Sequence, residues 1–173
     1  MTAMALLIIL FALAMVVGPI MLMRPSPMQT KLANLRNLAI KAGCRVHLSR
    51  HPWDNTIGEL ACYSLPWPTE QLKRFQGVQL SVFKKNYRHD IHFFEFWDWQ
   101  KKDEGALIHD LEWKNAFRDF LKTLPPNIHG IEINKLGCTL CLREKLQKPE
   151  AEISAEILAS LQGLQGIFKR AAS

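Results

Sequence analysis

Residues 128–142, IHGIEINKLGCTLCL, decide the fold. Ile128 to Ile133 is rich in β-branched residues and predicts a strand. The conformation of the next segment, Cys138-Thr139-Leu140-Cys141, has two readings. If Gly137 ends a turn and Thr139 caps a helix running through Lys148, Cys141 lies in a first helical turn. The partial positive charge there favours a thiolate, and a redox dithiol or half a zinc site would result. If Cys138 to Leu142 is a strand, it forms a hairpin with Ile128 to Ile133 across Asn134-Lys135-Leu136-Gly137. The two thiols then face opposite sides of a sheet. The strand reading, with its hairpin, is slightly preferred, and the roughly 30 residues after Cys141, mostly helical, further count against a thioredoxin-like site. A four-cysteine zinc site wants a second close pair, and Cys44 and Cys62 are 18 apart.

Working outward, Cys44 to Leu48, Leu60 to Leu65, Val78 to Phe83 and Ile91 to Trp99 also read as strands. Asp110 to Leu121 reads as a helix with Leu111, Ala116, Phe117, Phe120 and Leu121 on one face, broken by Pro125-Pro126-Asn127. Ile157, Leu158, Leu161, Leu164 and Ile167 mark a terminal helix over Ile153 to Ile167. Strands and helices without regular alternation predict an α+β domain: a small, mostly antiparallel sheet with two packed helices. The 130 or so residues from 44 to 173 suffice for one modest core.

Ahead of that domain lie two further segments. Residues 1–23, MTAMALLIILFALAMVVGPIMLM, contain no charged side chain and predict a transmembrane anchor. About 20 helical residues cover the roughly 30 Å hydrocarbon core. A cleaved signal would carry a basic n-region and a shorter apolar run. Residues 24–43 predict a basic juxtamembrane helix, with Ser26 as cap, Pro27 as first residue and Gly43 as stop. Leu32, Leu35, Ala39 and Ala42 make its apolar stripe.

The chain has 22 Lys+Arg against 16 Asp+Glu. No acid precedes Asp54, while Arg24, Lys31, Arg36, Lys41, Arg45 and Arg50 lie between the anchor and that point. Those six account for the whole net charge of +6. Basic residues flanking a span stay on the cytoplasmic side, so the N-terminus is expected outside and the domain in the cytoplasm. Arg24, Lys31, Arg36 and Lys41 are the expected contacts to anionic headgroups of the bilayer. The body beyond Asp54 is charge-balanced, which argues against nucleic acid as a partner.

The segment ILFALAMVVGPIMLMRPSPMQTKLANLRNLAIKAGCRV, residues 9–46, resembles the start of the YajC family, small accessory subunits of the bacterial preprotein translocase. The matching features are Arg24-Pro25 directly after the span, Lys31, and Lys41-Ala42-Gly43 before Val46. The resemblance implies an accessory protein of the bacterial inner membrane with a β-rich cytoplasmic domain. It departs where the family's glycine-rich turn is replaced by His47 to Trp53, and no functional residue is carried over.

No phosphate-binding glycine loop or nucleophile elbow is present, which lowers an enzymatic reading. His89 and His92 fall on opposite sides of a strand and do not make a metal pair; no cofactor is expected. Phe93 to Trp99, FEFWDW after Phe93, is the densest aromatic segment. Alternation puts Phe93, Trp97 and Trp99 on one side, and Phe94 and Phe96 on the other. A central strand explains this, and a partner surface of Phe93, Trp97, Trp99 and Trp67 is the functional alternative. The expectation is a non-enzymatic, single-pass accessory protein that binds a membrane-protein partner. The competing expectation is a membrane-tethered thiol or metal protein using Cys138 and Cys141.

Overall fold

A computed structural model describes residues 3–22, 25–73, 75, 77–87, 93–101 and 111–171. The hairpin expected within residues 128–142 is present as β5 (Ile128–Asn134) and β6 (Gly137–Leu142). Asn134 Oδ1 accepts from the Leu136 backbone N–H at 2.8 Å and closes the turn. Gly137 is required because a Cβ there would lie 2.2 Å from the Leu65 carbonyl oxygen. The preceding strands are β1 (Arg45–Arg50), β2 (Glu59–Pro66), β3 (Leu80–Lys84) and β4 (Trp97–Lys101). They build one sheet in the order β1-β2-β6-β5-β3-β4, with every neighbouring pair antiparallel. The β5–β6 hairpin is thus wedged between the β1–β2 and β3–β4 hairpins.

The helices are α1 (Ala3–Leu22), α2 (Pro27–Lys41), α3 (Leu111–Thr123) and α4 (Glu150–Ala171). The expected start of α2 is met in full: Ser26 Oγ accepts from Gln29 N–H, and Gln29 Oε1 accepts from Ser26 N–H. This reciprocal cap satisfies two donors that a bare helix end leaves open. Gly43, at φ 92°, stops the helix in a conformation that other residues resist.

One core cluster joins α2, α3 and α4 to a single face of the sheet. It contains Ala39, Trp113, Phe117, Leu161, Leu164 and Phe168 from the helices. Ala61, Tyr63, Val82, Ile131, Ile133, Cys138 and Leu140 meet them from the strands. The fold is α+β as expected, with three helices packed on the sheet instead of two. The third is α2, whose Leu35 and Ala39 are buried, so this segment belongs to the domain. The opposite face carries a second, smaller cluster of Leu60, Cys62, Phe83 and Cys141, with Ile57 against it.

The aromatic strand is shorter than expected and lies at the edge of the sheet, not at its centre; its inward rings are buried by the helices on one face. Phe94 and Trp97 bond each other across a tight turn, and Glu95 takes φ 46°. β4 therefore begins only at Trp97. No glycine marks this turn, so the left-handed residue was not legible in the composition. His89 and His92 lie outside the described residues.

The described side chains of α1 run from residue 3 to residue 17 and include exposed Met4, Leu7, Leu10, Phe11 and Met15. Those side chains are fewer than the roughly 20 residues a span needs, and among the described residues no helix is long and apolar enough to cross a membrane, so the expected anchor over residues 1–23 is not shown by the structure. The helical backbone of α1 continues to Leu22, and its 20 residues include no charged one.

Candidate functional site: the seam between β2 and β6

The register of β2 on β6 pairs Cys62 with Cys141, Tyr63 with Leu140 and Ser64 with Thr139. Because side chains alternate, this one seam presents different chemistry on its two faces.

On the helix-covered face, Tyr63 is fully buried and its hydroxyl donates to Glu144 Oε1. Arg36 of α2 reaches the same carboxylate, with Nε donating to Oε1 at 3.0 Å and Nη2 donating to Oε2. The Glu144 side chain is 6% exposed and that of Arg36 32%. A carboxylate so enclosed is held only because guanidinium and phenol both donate to it. The bond to Glu144 raises the Arg36 pKa further above its ordinary value. Burial, and then Glu144, push the Tyr63 hydroxyl upward, so it stays a donor. These contacts clamp α2, β2 and the segment after β6 together. On the other face, two residues along from Cys62 and Cys141, the same seam carries a hydroxyl pair, Ser64 Oγ to Thr139 Oγ1 at 2.8 Å.

On the open face, Cys62 and Cys141 are joined as a disulfide, with Cα atoms 4.1 Å apart. Both are fully buried. The β1–β2 connection covers them: Ile57 packs on the cluster, and the His51 and Trp53 rings meet Phe83 edge-on, at 5.5 and 6.3 Å. His51 Nδ1 accepts from the backbone N–H groups of Trp53 and Asp54. His129, 6.3 Å from His51, is pushed down to about 4 by burial and by Lys84, His51, Arg143 and Lys145. Burial likewise lowers His51. Both imidazoles are neutral at pH 7.

The residues singled out from sequence fare differently. Cys138 and Cys141 do not come together: Cys138 lies in the helix-covered core, and Cys141 pairs with Cys62 on the other face. Three residues along a strand reverse the side, which removes the geometry that a joint redox or metal role needs. Burial raises the Cys138 thiol well above its ordinary value. Among the described residues no group of three or more His, Cys, Asp or Glu is placed to hold a metal ion.

Phe93, Trp97 and Trp67 are buried, and Trp99 packs partly buried against the same core. Trp67 stacks on Phe75 at 4.0 Å, and its indole N–H donates to the Asn134 carbonyl. Occupied in this way, these rings do not form a partner surface. Among the described residues beyond α1, the exposed aromatic side chains are Trp53, Tyr87 and Phe96, with Lys85 Nζ over both the Trp53 and Tyr87 rings. Of the expected headgroup contacts, Lys31 and Lys41 are exposed, Arg36 is committed to Glu144, and Arg24 lies outside the described residues.

Sequence reasoning missed Glu144 and Cys62. Glu144 stands two residues beyond a strand with no motif around it, and its partners lie 108 and 81 residues away. Compared with known protein families, curated proteins and solved structures, the chain matches none.

Proposed function

We propose that this chain is a single-pass membrane accessory protein whose α+β domain is held at the cytoplasmic surface and binds another protein there. One observation carries the reading: α1 is a 20-residue helix with no charged residue, and its described large apolar side chains stand exposed. At 1.5 Å per residue it is about 30 Å long, the thickness of a bilayer's hydrocarbon core. An apolar helix left in water would forfeit about 25 cal/mol for each Å² of apolar surface that lipid could cover.

The surroundings of α1 support the other parts of the proposal. Only four residues separate Leu22 from Pro27, so α2 starts close to the membrane surface. The capping box and the Arg36–Glu144–Tyr63 clamp make α2 a stiff part of the domain, which supports a domain presented at a fixed stand-off. The basic excess after α1 supports a cytoplasmic placement, and Lys31 and Lys41 supply the headgroup contacts. The exposed Trp53, Tyr87 and Phe96 make the better candidate for partner contact, since aromatic anchors dominate interface energetics. A translocase-associated role is one form of this proposal, supported by the Arg24-Pro25 junction and the basic helix after it.

Extraction of membranes with alkaline carbonate tests the anchoring. The native chain should stay in the pellet, and Leu10→Arg with Leu13→Arg should move it to the supernatant. A native chain released by carbonate would end the proposal.

A further inference from the structure

The Cys62–Cys141 bond sits where opening or closing it changes how the chain is tied together. Register places the two residues directly opposite one another, so neither strand must shift to bring the sulfurs together. The 4.1 Å between their Cα atoms is the close spacing of a non-hydrogen-bonded antiparallel pair. Cys62 belongs to the hairpin that comes after the anchor and α2, and Cys141 to the strand that precedes Glu144 and α4. The bond therefore joins β2 to β6 on the face opposite the clamp, which ties α2 and β2 to the segment after β6.

The surroundings isolate this pair. The other two cysteines, Cys44 and Cys138, are buried and unpaired elsewhere. Cys62 and Cys141 share their cluster with Leu60 and Phe83, and the surface connection 51–58 lies against that cluster through Ile57 and through the His51 and Trp53 rings, which meet Phe83. β1, beside it, is an edge strand with no buried residue. Such segments open locally at far lower cost than a core strand.

Disulfides that form in the cytoplasm are mostly transient and redox-sensing. We propose that Cys62 and Cys141 are a redox-operated latch, open as a dithiol in the resting cytoplasm and closed under oxidising load by exchange with a small-molecule disulfide. One thiol loses its proton, and its sulfur attacks the disulfide RSSR, giving a mixed disulfide and RS⁻. The second thiolate attacks the protein sulfur of that mixed disulfide and expels the other RS⁻. Two protein thiols are oxidised, RSSR is reduced to two RSH, and the two protons pass to the leaving thiolates. Lifting the 51–58 connection admits the oxidant. Closing a loop with a 79-residue separation shifts the unfolding equilibrium by about 10³-fold in the chain-entropy limit.

The resting dithiol state rests on the cytoplasmic placement proposed above; the chemistry of the pair does not. The test uses the full chain in bacterial cells and in inverted membrane vesicles. Cells are quenched in acid and alkylated, and all four cysteines should be labelled. In vesicles equilibrated with oxidised glutathione, Cys62 and Cys141 should become unreactive and be recovered as one linked peptide. Amides of β1 and β2 should then exchange at least tenfold more slowly, and reduced glutathione should reverse both changes. Cys62→Ala and, independently, Cys141→Ala should abolish the response, while Cys138→Ala should preserve it. A bond already closed in untreated cells would overturn the latch, as would a pair that stays alkylatable in oxidised glutathione. Closure without any change in amide exchange would overturn it too. Protease access in intact spheroplasts reports on the cytoplasmic placement separately, so failure of the latch and failure of that placement are read in different assays.

Discussion

Removing the Glu144 carboxylate should loosen the whole junction between α2 and the sheet. Glu144→Ala deletes the acceptor of the Arg36 guanidinium and of the Tyr63 hydroxyl together. The two losses differ in size. Arg36 is about a third exposed and rehydrates, so its share lies between a surface and a buried ion pair, about 1–2 kcal/mol. Tyr63 is fully buried, and its stranded hydroxyl costs about 1–3 kcal/mol. The expected total is about 3 kcal/mol. Tyr63→Phe alone should cost about 1–2 kcal/mol. On the Glu144→Ala background it should cost close to nothing, because the acceptor has already gone. The assay is guanidinium unfolding of the detergent-solubilised full chain, monitored by tryptophan fluorescence. The midpoint should fall at unchanged slope. Glu156→Ala is the control, since its partner Lys148 is an exposed residue and the change should be near neutral. A Glu144→Ala midpoint equal to the control's, or strictly additive costs for Glu144→Ala and Tyr63→Phe, would refute the clamp.

Other outcomes depend on particular contacts. At Gly130 a Cβ would lie 2.2 Å from Cε1 of the Phe83 ring, so Gly130→Ala must displace that ring within its cluster with Leu60, Cys62 and Cys141. Overpacking of this kind should cost about 1–3 kcal/mol, and Phe83→Leu on the same chain should recover part of the melting temperature. His129 titrates near 4 in the folded chain, below its value of about 6.5 when unfolded. The unfolded state therefore binds more protons between these values, and stability should fall as pH drops from about 6.5 toward 4. His51 contributes in the same direction. His129→Gln should flatten the melting-temperature profile across that window and leave it unchanged above pH 7.

Local signals in the sequence carried far here, and non-local ones did not. Ser26 and Pro27 act in the first turn of α2 and Gly43 just past its end, and α2 begins and ends where they require. The Asn134-to-Gly137 turn is equally local, and so is the β5–β6 hairpin built on it. By contrast, the neighbour of Cys141 is set by the β2–β6 register, which depends on where a hairpin from the first half of the chain docks. Closeness in sequence suggested Cys138 as its partner, and the strand period of two placed that thiol on the other face. Glu144 was invisible for the same reason, as both of its partners come from elements far upstream. The aromatic run was legible as core material, and Phe93 and Trp97 are core. Its turn at Glu95 was not, because a glutamate gives no sign of a left-handed backbone.

Protease accessibility from the two sides of the membrane tests the central claim most directly. In intact spheroplasts the domain should resist added protease, and in inverted inner-membrane vesicles the same protease should digest it while a fragment containing α1 remains with the lipid. Digestion of the domain in spheroplasts, or loss of α1 from the vesicles along with it, would contradict an anchored protein with a cytoplasmic domain.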